Sequence, residues 1–328
     1  MKGLSIHQSL LAFTTGILCL AGVKAEQNEP LRTRNLAPLV AVFGLPTWES
    51  DAAVGESELA VVQELASHFR LAGRGDEQLV LDGETWRTSF FYKRGIADGW
   101  TIGVELPVIR QWGGVLDDLI DGWHSTFDLP DGNRNRAADD QIRFLYRDNN
   151  ATQFSFSDSS TGLGDTQVSI ARRLGAESGM LLRAIVKLPT GDEDIFAGSG
   201  STDLTLTLLK QSSTVWREHE IGYYWGAGLM FVGEPTYLAD RNEDWAAVGV
   251  FGLGWQPSAR LGLKAQLDFH SRFYDSALDE LGKDSIQASI GVWWAFDDRR
   301  RLNFAINEDL IVRTAPDVSF HFDFSWAL

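Results

Sequence analysis

The chain has 328 residues, 44% of them hydrophobic and 23% charged, with a formal net charge of −16. That composition supports a packed core, and the surplus of 45 acidic over 29 basic residues excludes nucleic acid as a partner. The single cysteine excludes a disulfide framework and a cysteine zinc site. Past the N-terminus, no uncharged apolar run reaches the about 18 residues a spanning helix needs.

Lys2 precedes a fifteen-residue apolar stretch, Ser9 to Val23, and Val23-Lys24-Ala25 puts small residues at positions −3 and −1 of a cleavage site. Residues 1–25 are therefore expected to be a secretory signal peptide. A lipoprotein leader competes, since Cys19 lies in this stretch, but Leu18 before it is bulky for a lipid-attachment box. Cleavage would remove Cys19, Lys2 and Lys24 and take the charge from −16 to −18. A cysteine-free exported chain suits an oxidising envelope. Residues 26–56 follow, with an apolar stretch from Leu36 to Leu45 and prolines at 38 and 46. They read as an N-terminal extension, a partial plug folded into a barrel, or an added strand.

From residue 57 onward, apolar and polar residues alternate with period two, the signal of strands with one buried face. Strands are expected near 57–69, 77–94, 99–110, 163–174, 179–189, 202–211, 219–233, 244–256, 260–274, 284–297, 301–313 and 317–328. From Leu261 to Tyr274, one face carries Leu261, Leu263, Ala265, Leu267, Phe269 and Phe273, and the other Lys264, Gln266, Asp268, His270 and Arg272. At the end of the chain, Val318, Phe320, Phe322, Phe324 and Trp326 oppose Ser319, His321, Asp323 and Ser325. One segment breaks the pattern. Between Trp245 and Trp255 the inner face reads Ala246, Val248, Val250, Gly252 and Gly254, with nothing polar.

The connections alternate in length. Those near 95–98, 175–178, 212–218, 257–259 and 298–300 are short; those near 70–76, 111–162, 190–201, 234–243 and 275–283 are longer and rich in Asp, Glu and Gly. Short turns on one side and long loops on the other are the rhythm of an outer-membrane barrel. Trp100, Trp255, Phe296 and Trp326 fall beside the short turns, and Phe231, Trp245 and Phe273 beside the long loops, as two interfacial belts would. A soluble sandwich shares the alternation but not an apolar face running to the carboxyl end. The ending Trp-Ala-Leu departs from the terminal aromatic residue usual in such barrels. The expected fold is thus all-β: a transmembrane antiparallel up-and-down β-barrel of about 12 strands over residues 57–328.

In the longest loop, Val115, Leu116, Leu119, Ile120, Trp123 and Phe127 recur at helical spacing among Asp117, Asp118 and Asp121. This predicts a short amphipathic helix, either packed over the mouth or gating it through Leu116, Leu119, Ile120 and Trp123. Residues 131–162 are polar, with Phe144, Tyr146, Phe154 and Phe156 spaced for a hairpin projecting from the surface.

Several motifs together resemble a known family. They are Gly95-Ile-Ala-Asp-Gly-Trp-Thr-Ile-Gly-Val-Glu-Leu-Pro107, Gly114-Val-Leu-Asp-Asp-Leu-Ile-Asp-Gly-Trp-His124, Gly162-Leu-Gly-Asp165, Lys187-Leu-Pro-Thr-Gly-Asp192, Gly198-Ser-Gly-Ser-Thr-Asp203, Leu263-Lys-Ala-Gln-Leu-Asp268 and Thr314-Ala-Pro-Asp-Val-Ser-Phe-His321. The combination resembles the envelope proteins grouped as Domain of Unknown Function 3187. The resemblance implies a proteobacterial outer-membrane barrel with no assigned reaction. The Gly-Leu-Gly-Asp and Leu-Pro-Thr-Gly elements are also similar to those of barrels linked to uptake of aromatic or hydrophobic compounds.

No phosphate loop, nucleotide fingerprint or HExxH zinc motif is present. The strand facing sends Glu64, His68, Glu105, Asp165, Arg173, Arg183, Lys187, Asp203, Lys264, Asp268, His270, Arg272, His321 and Asp323 into the lumen. Their mixed signs fit either internal pairing or a selectivity lining for a small solute. Pairing the first strand with the last would bring Glu64 and His68 toward His321 and Asp323, near Ser319 and Ser325. That group either fills the lumen or activates a hydroxyl. The acidic loops, such as Asp192-Glu193-Asp194, lack a ligand spacing for metal, and no cofactor is expected.

The expected function is a passive channel or transporter for a small solute, hydrophobic compounds included, rather than an enzyme. The alternative is a structural or surface-interaction barrel with a filled lumen. Expected partners are outer-membrane lipids, the barrel-assembly machinery and the solute.

Overall fold

The computed structural model describes residues 29–116, 140–175, 178–216, 220–310 and 313–328. Chain order runs β1 (Ser57–Arg74), β2 (Glu77–Ala97), β3 (Trp100–Trp112), β4 (Arg143–Asp148), β5 (Ala151–Phe156), β6 (Ser160–Leu163), β7 (Thr166–Arg173) and β8 (Met180–Leu188). It continues through β9 (Asp203–Trp216), β10 (Ile221–Phe231), β11 (Trp245–Ser258), β12 (Leu261–His270), β13 (Ser285–Ala295), β14 (Arg300–Asp309) and β15 (Val318–Ala327). Each wall strand pairs antiparallel with its neighbours, and the ring closes where β1 meets β15, from Glu58↔Ala327 to Ser67↔Val318.

Strands β6 and β7 both pair with β3 and count as one wall strand, stepped at Gly164 and Asp165. The step lies opposite Pro107, which has no N–H for the ladder; its carbonyl instead accepts from the Gly164 N–H at 2.8 Å. With β4 and β5 outside the ring, the barrel has twelve strands. An even count returns both ends of the wall to the short-turn side.

The period-two pattern sorts the wall into faces. On β15, Phe322, Phe324 and Trp326 are exposed, while Ser319, His321, Asp323 and Ser325 are buried. On β11, Trp245, Phe251, Leu253 and Trp255 are exposed, while Ala246, Val248 and Val250 are buried. An outward apolar band this broad is unstable against water and matches lipid. Trp100, Trp255, Phe296 and Trp326 rim it at the short turns, and Phe231 and Trp245 at the loops.

Three details depart from the sequence reading. Strand β12 ends at His270, so Phe273 leaves the outward face and packs inward against Phe43, ring centroids 4.6 Å apart. Arg272, placed in the lumen by the same alternation, lies beyond the strand on the outer rim, where it pairs with Glu243 at 2.6 Å. The connection near 70–76 is a tight turn at Gly75 and Asp76, because β1 and β2 stay paired through Arg74↔Glu77, well above the wall. The first two share a cause: alternation specifies facing only while the ladder continues, and the third arises where the ladder runs on past the expected loop.

Strand β4 adds to the raised part of β2 at Gln78–Asp82, and β5 pairs with β4. This hairpin does not project freely. It turns Phe144, Tyr146 and Phe154, all buried, over the barrel mouth. The expected helix around residues 117–128 lies outside the described residues.

Candidate functional site

Residues 29–53 run inside the barrel. All of Pro30 to Ser50 is buried except Ala41, which is half-buried. The segment has two legs. One rises from Glu29 at the short-turn side, and a single helical turn, Pro38–Ala41, reverses it near the mouth. Proline at the first helical position starts that turn without losing a needed N–H, and the Asn35 Oδ1 accepts from the Ala37 N–H at 2.9 Å. The second leg descends to Ala52, which exchanges hydrogen bonds with the Thr101 hydroxyl, and joins β1. The legs meet at the bottom, where the Ser50 hydroxyl donates to Glu29 at 2.8 Å.

Neither leg is a strand, so wall side chains satisfy its backbone, as irregular chain at membrane depth requires. The Gln266 amide accepts from the Leu31 N–H (2.8 Å) and donates to the Leu31 carbonyl (3.1 Å). The Tyr274 hydroxyl donates to the Leu39 carbonyl, and in the reverse sense the Asn35 side chain donates to the Thr314 carbonyl. Asp203 accepts from the Gly44 N–H, Lys187 donates to the Val42 carbonyl, and Arg183 to the Thr47 carbonyl.

The charges interlock. Arg32 contacts Asp323 of β15 at 2.9 Å, and its Nε lies 3.6 Å from Glu49 on the other leg. Glu49 in turn accepts from Arg183 of β8 at 2.9 Å. The sequence Asp323, Arg32, Glu49, Arg183 therefore crosses the lumen from wall to wall. Higher up, one Arg34 nitrogen reaches both oxygens of Glu105 at 2.9 Å, with Glu64 at 3.8 Å, and Arg87 shares Glu105. Lys93 pairs with Glu58, and Arg173 with Asp51. Lys187 sits between Asp165 (2.7 Å) and Asp203 (3.3 Å). Buried charges persist only when paired in this way.

The apolar inner face of β11 now has a cause. Trp48 of the second leg lies against β10 at Gly226, where an added Cβ would stand 2.3 Å from the indole. Beside it, Tyr224 covers Gly252 and donates to Gln266 at 2.7 Å. Trp48, Tyr224, Ala246, Val248 and Val250 belong to one buried cluster. The gap beside them, bounded by Thr33, Arg34, Trp48, Val248 and His270, measures about 20 Å3, room for little more than one water.

An aromatic cap closes the mouth. Phe196 stacks on Tyr237 at 4.4 Å and meets Phe154 edge-on at 5.1 Å, and Phe144 stacks on Phe156 at 5.8 Å. Phe43, beside the helical turn, joins it through Phe273 and Tyr274. The Tyr237 hydroxyl donates to the Glu193 carbonyl at 2.7 Å. Burial, with Asp194, Glu193 and Asp192 nearby, pushes that phenol up to about 12.

The predicted site residues divide accordingly. Glu64, Glu105, Arg173, Arg183, Lys187, Asp203, Asp268, His270 and Asp323 meet the inner segment or the groups holding it. Asp268 accepts from the Thr33 hydroxyl at 2.7 Å, and His270 lies 2.9 Å from the Asn35 amide. Asp165 reaches the segment only through Lys187, and Lys264 bonds Asn303 of the wall. At the seam, Glu64 lies 3.4 Å from His321. His68 bonds Thr85 instead, Asp323 turns to Arg32, and Ser319 accepts from Asn307. Glu64 and His321 thus meet at the seam, whereas His68, Asp323 and Ser319 bond other partners. Among the described residues, no three His, Cys, Asp or Glu side chains group to hold a metal.

Leu116 is buried, its N–H directed at Glu84, whereas Leu119, Ile120 and Trp123 lie outside the described residues. Sequence reasoning missed Arg32, Arg34, Asn35, Trp48, Glu49 and Asp51. The legible signal was two arginines, two residues apart, beside an otherwise apolar stretch.

A family model described as Protein of unknown function (DUF3187) matches residues 8–327. The chain belongs to this family. Comparison with curated proteins returns no match. Among solved structures, an outer-membrane channel from Pseudomonas putida F1 is similar, with a TM-score of 0.53 and 11% identity over 84% of this chain and 97% of that one. The KdgM porin (TM-score 0.42, 7% identity, 82% and 98% covered) and the P. putida toluene transporter TodX (0.36, 10%, 83% and 87%) are more distant. The DUF3187 chain thus has the fold of an outer-membrane barrel, with its exposed apolar band where such barrels meet lipid.

Proposed function

We propose that the protein is a passive outer-membrane channel for a small solute, and that residues 29–53 are its closing element. The observation that carries this reading is the two-legged path. Both legs start from the short-turn, periplasmic side, so the element can withdraw as a unit without threading through the barrel. Its hold is made of ion pairs and side-chain bonds to backbone, which water can replace at modest net cost compared with an apolar core. The chain reaches the membrane through the leader at residues 1–25, cleaved after Ala25, and the barrel-assembly machinery inserts it. It performs no reaction of its own.

The test is single-channel conductance in a planar bilayer. The unaltered protein should be closed most of the time. The full-length triple variant Trp48→Ala, Arg34→Gln, Phe196→Ala should conduct, because it loses the indole contact, the Glu105 anchor and the centre of the aromatic cap. A second reading, a structural or surface-interaction barrel with a filled lumen, is favoured by the water-sized gap beside Trp48. Silence of both proteins would support it and sink the channel.

A further inference from the structure

The inner segment occupies the lumen with its own charges, and the groups that hold those charges belong to the wall. Resting on the channel reading above, we infer that the opened lumen binds and passes small zwitterions, with Asp323 taking the cationic end and Arg183 the anionic end. Arg32 and Glu49 do this now. They form an oppositely charged pair, 3.6 Å apart, held between Asp323 on one side and Arg183 on the other.

Withdrawal does not free every wall charge. Lys187 stays neutralised by Asp165 and Asp203. Glu58 keeps Lys93 and Arg301, and Glu105 keeps Arg87. The groups that lose their counter-charge are Asp323 and Glu64, on β15 and β1, and Arg183 and Arg173, on β8 and β7. In the ring, four wall strands separate β15 from β8 one way and six the other, so Asp323 and Arg183 stand on broadly opposite sides, whereas only two wall strands separate β1 from β7. Asp323 and Arg183 then face each other across the opened lumen as a negative and a positive group, with Lys264 near Asp323 through Asn303. A transverse field of this kind orients a dipolar solute and gives a neutral one of equal size nothing to bind. Asp323 holds Arg32 through one nitrogen shared by both carboxylate oxygens, so a guanidinium suits that side as well as an ammonium does.

The test is liposome uptake through the full-length Trp48→Ala, Arg34→Gln, Phe196→Ala variant, which opens the cap as well as the inner segment and leaves Asp323 and Arg183 untouched. The probes are guanidinoacetate, a zwitterion with the two groups required, and erythritol, a neutral polyol of similar size. Guanidinoacetate should enter about fivefold faster, as charged linings discriminate. Adding Arg183→Gln or Asp323→Asn should erase the difference. Because the two-probe comparison needs no wall substitution, it stands even if a wall variant fails to fold. Conductance with equal uptake of both probes overturns the zwitterion inference and leaves the channel. Absence of conductance overturns the channel reading, and this inference with it.

Discussion

At the outer mouth, Phe196 lies flat on Tyr237 at 4.4 Å and edge-on to Phe154 at 5.1 Å. In the lumen below, Arg32 is held by Asp323 at 2.9 Å and Glu49 at 3.6 Å. Both regions are buried and both block the same route, yet they resist opening differently. Stacked rings lose apolar burial when they part, and water offers no replacement. An ion pair that opens regains hydration for each charge, so its net contribution is small while both partners remain. The mouth therefore sets the cost of opening from outside, and the lumen sets which charges appear once it is open.

The largest effects should separate the two regions. Phe196→Ala should cost the cap about 3–5 kcal/mol, as truncations of buried Phe do. Arg32→Met should cost a similar amount, about 3–5 kcal/mol, by stranding buried Asp323. Hydrogen exchange on the whole protein tells them apart. The first should speed exchange in residues 143–156 and spare 30–36; the second should do the reverse. Equal loosening of both segments in both variants would mean that cap and inner segment open as one unit. Adding Asp323→Asn to Arg32→Met should recover part of the loss, since it removes the stranded charge.

A smaller effect is expected from Gly226→Val. The new side chain takes the space of the Trp48 indole, and overpacking of this kind costs about 1–3 kcal/mol. Exchange should rise in residues 45–52 only. Unchanged protection there would show that Trp48 does not anchor the second leg.

The smallest concerns pH. The Tyr237 phenol is raised from 10.0 to about 12. A group whose folded value is raised stabilises the fold fully below its unfolded value and loses that contribution as pH climbs to the folded one. The cap should therefore be unaffected by pH up to about 10 and loosen between 10 and about 12. In an absorbance titration at alkaline pH, the component lost in Tyr237→Phe should be centred near 12. A component centred near 10 would place this ring in water.

Much of the wall was legible because a half-buried strand writes its facing into every second residue. Lys187, Lys264 and His321 could be assigned inward from spacing alone, and Phe322 and Trp326 outward. Arg272 could not, because β12 ends two residues earlier and nothing local marks that end. The apolar run Ala246, Val248, Val250 was puzzling for a related reason. Its partner, Trp48, lies about 200 residues away in a segment with no period to read.

By itself the sequence determined the barrel: strand number, which face meets lipid and, as far as each ladder runs, which charges point inward follow from a two-residue repeat. Only the tertiary structure decided what those charges do. Asp323 and Arg183 lie on separate strands, and neither sequence position predicts the other's distance. They are joined because residues 29–53, held by side chains of many strands rather than by a ladder of their own, bring Arg32 and Glu49 between them. Contacts set by long-range closure carry no local periodicity, so this pairing became visible only in the folded chain.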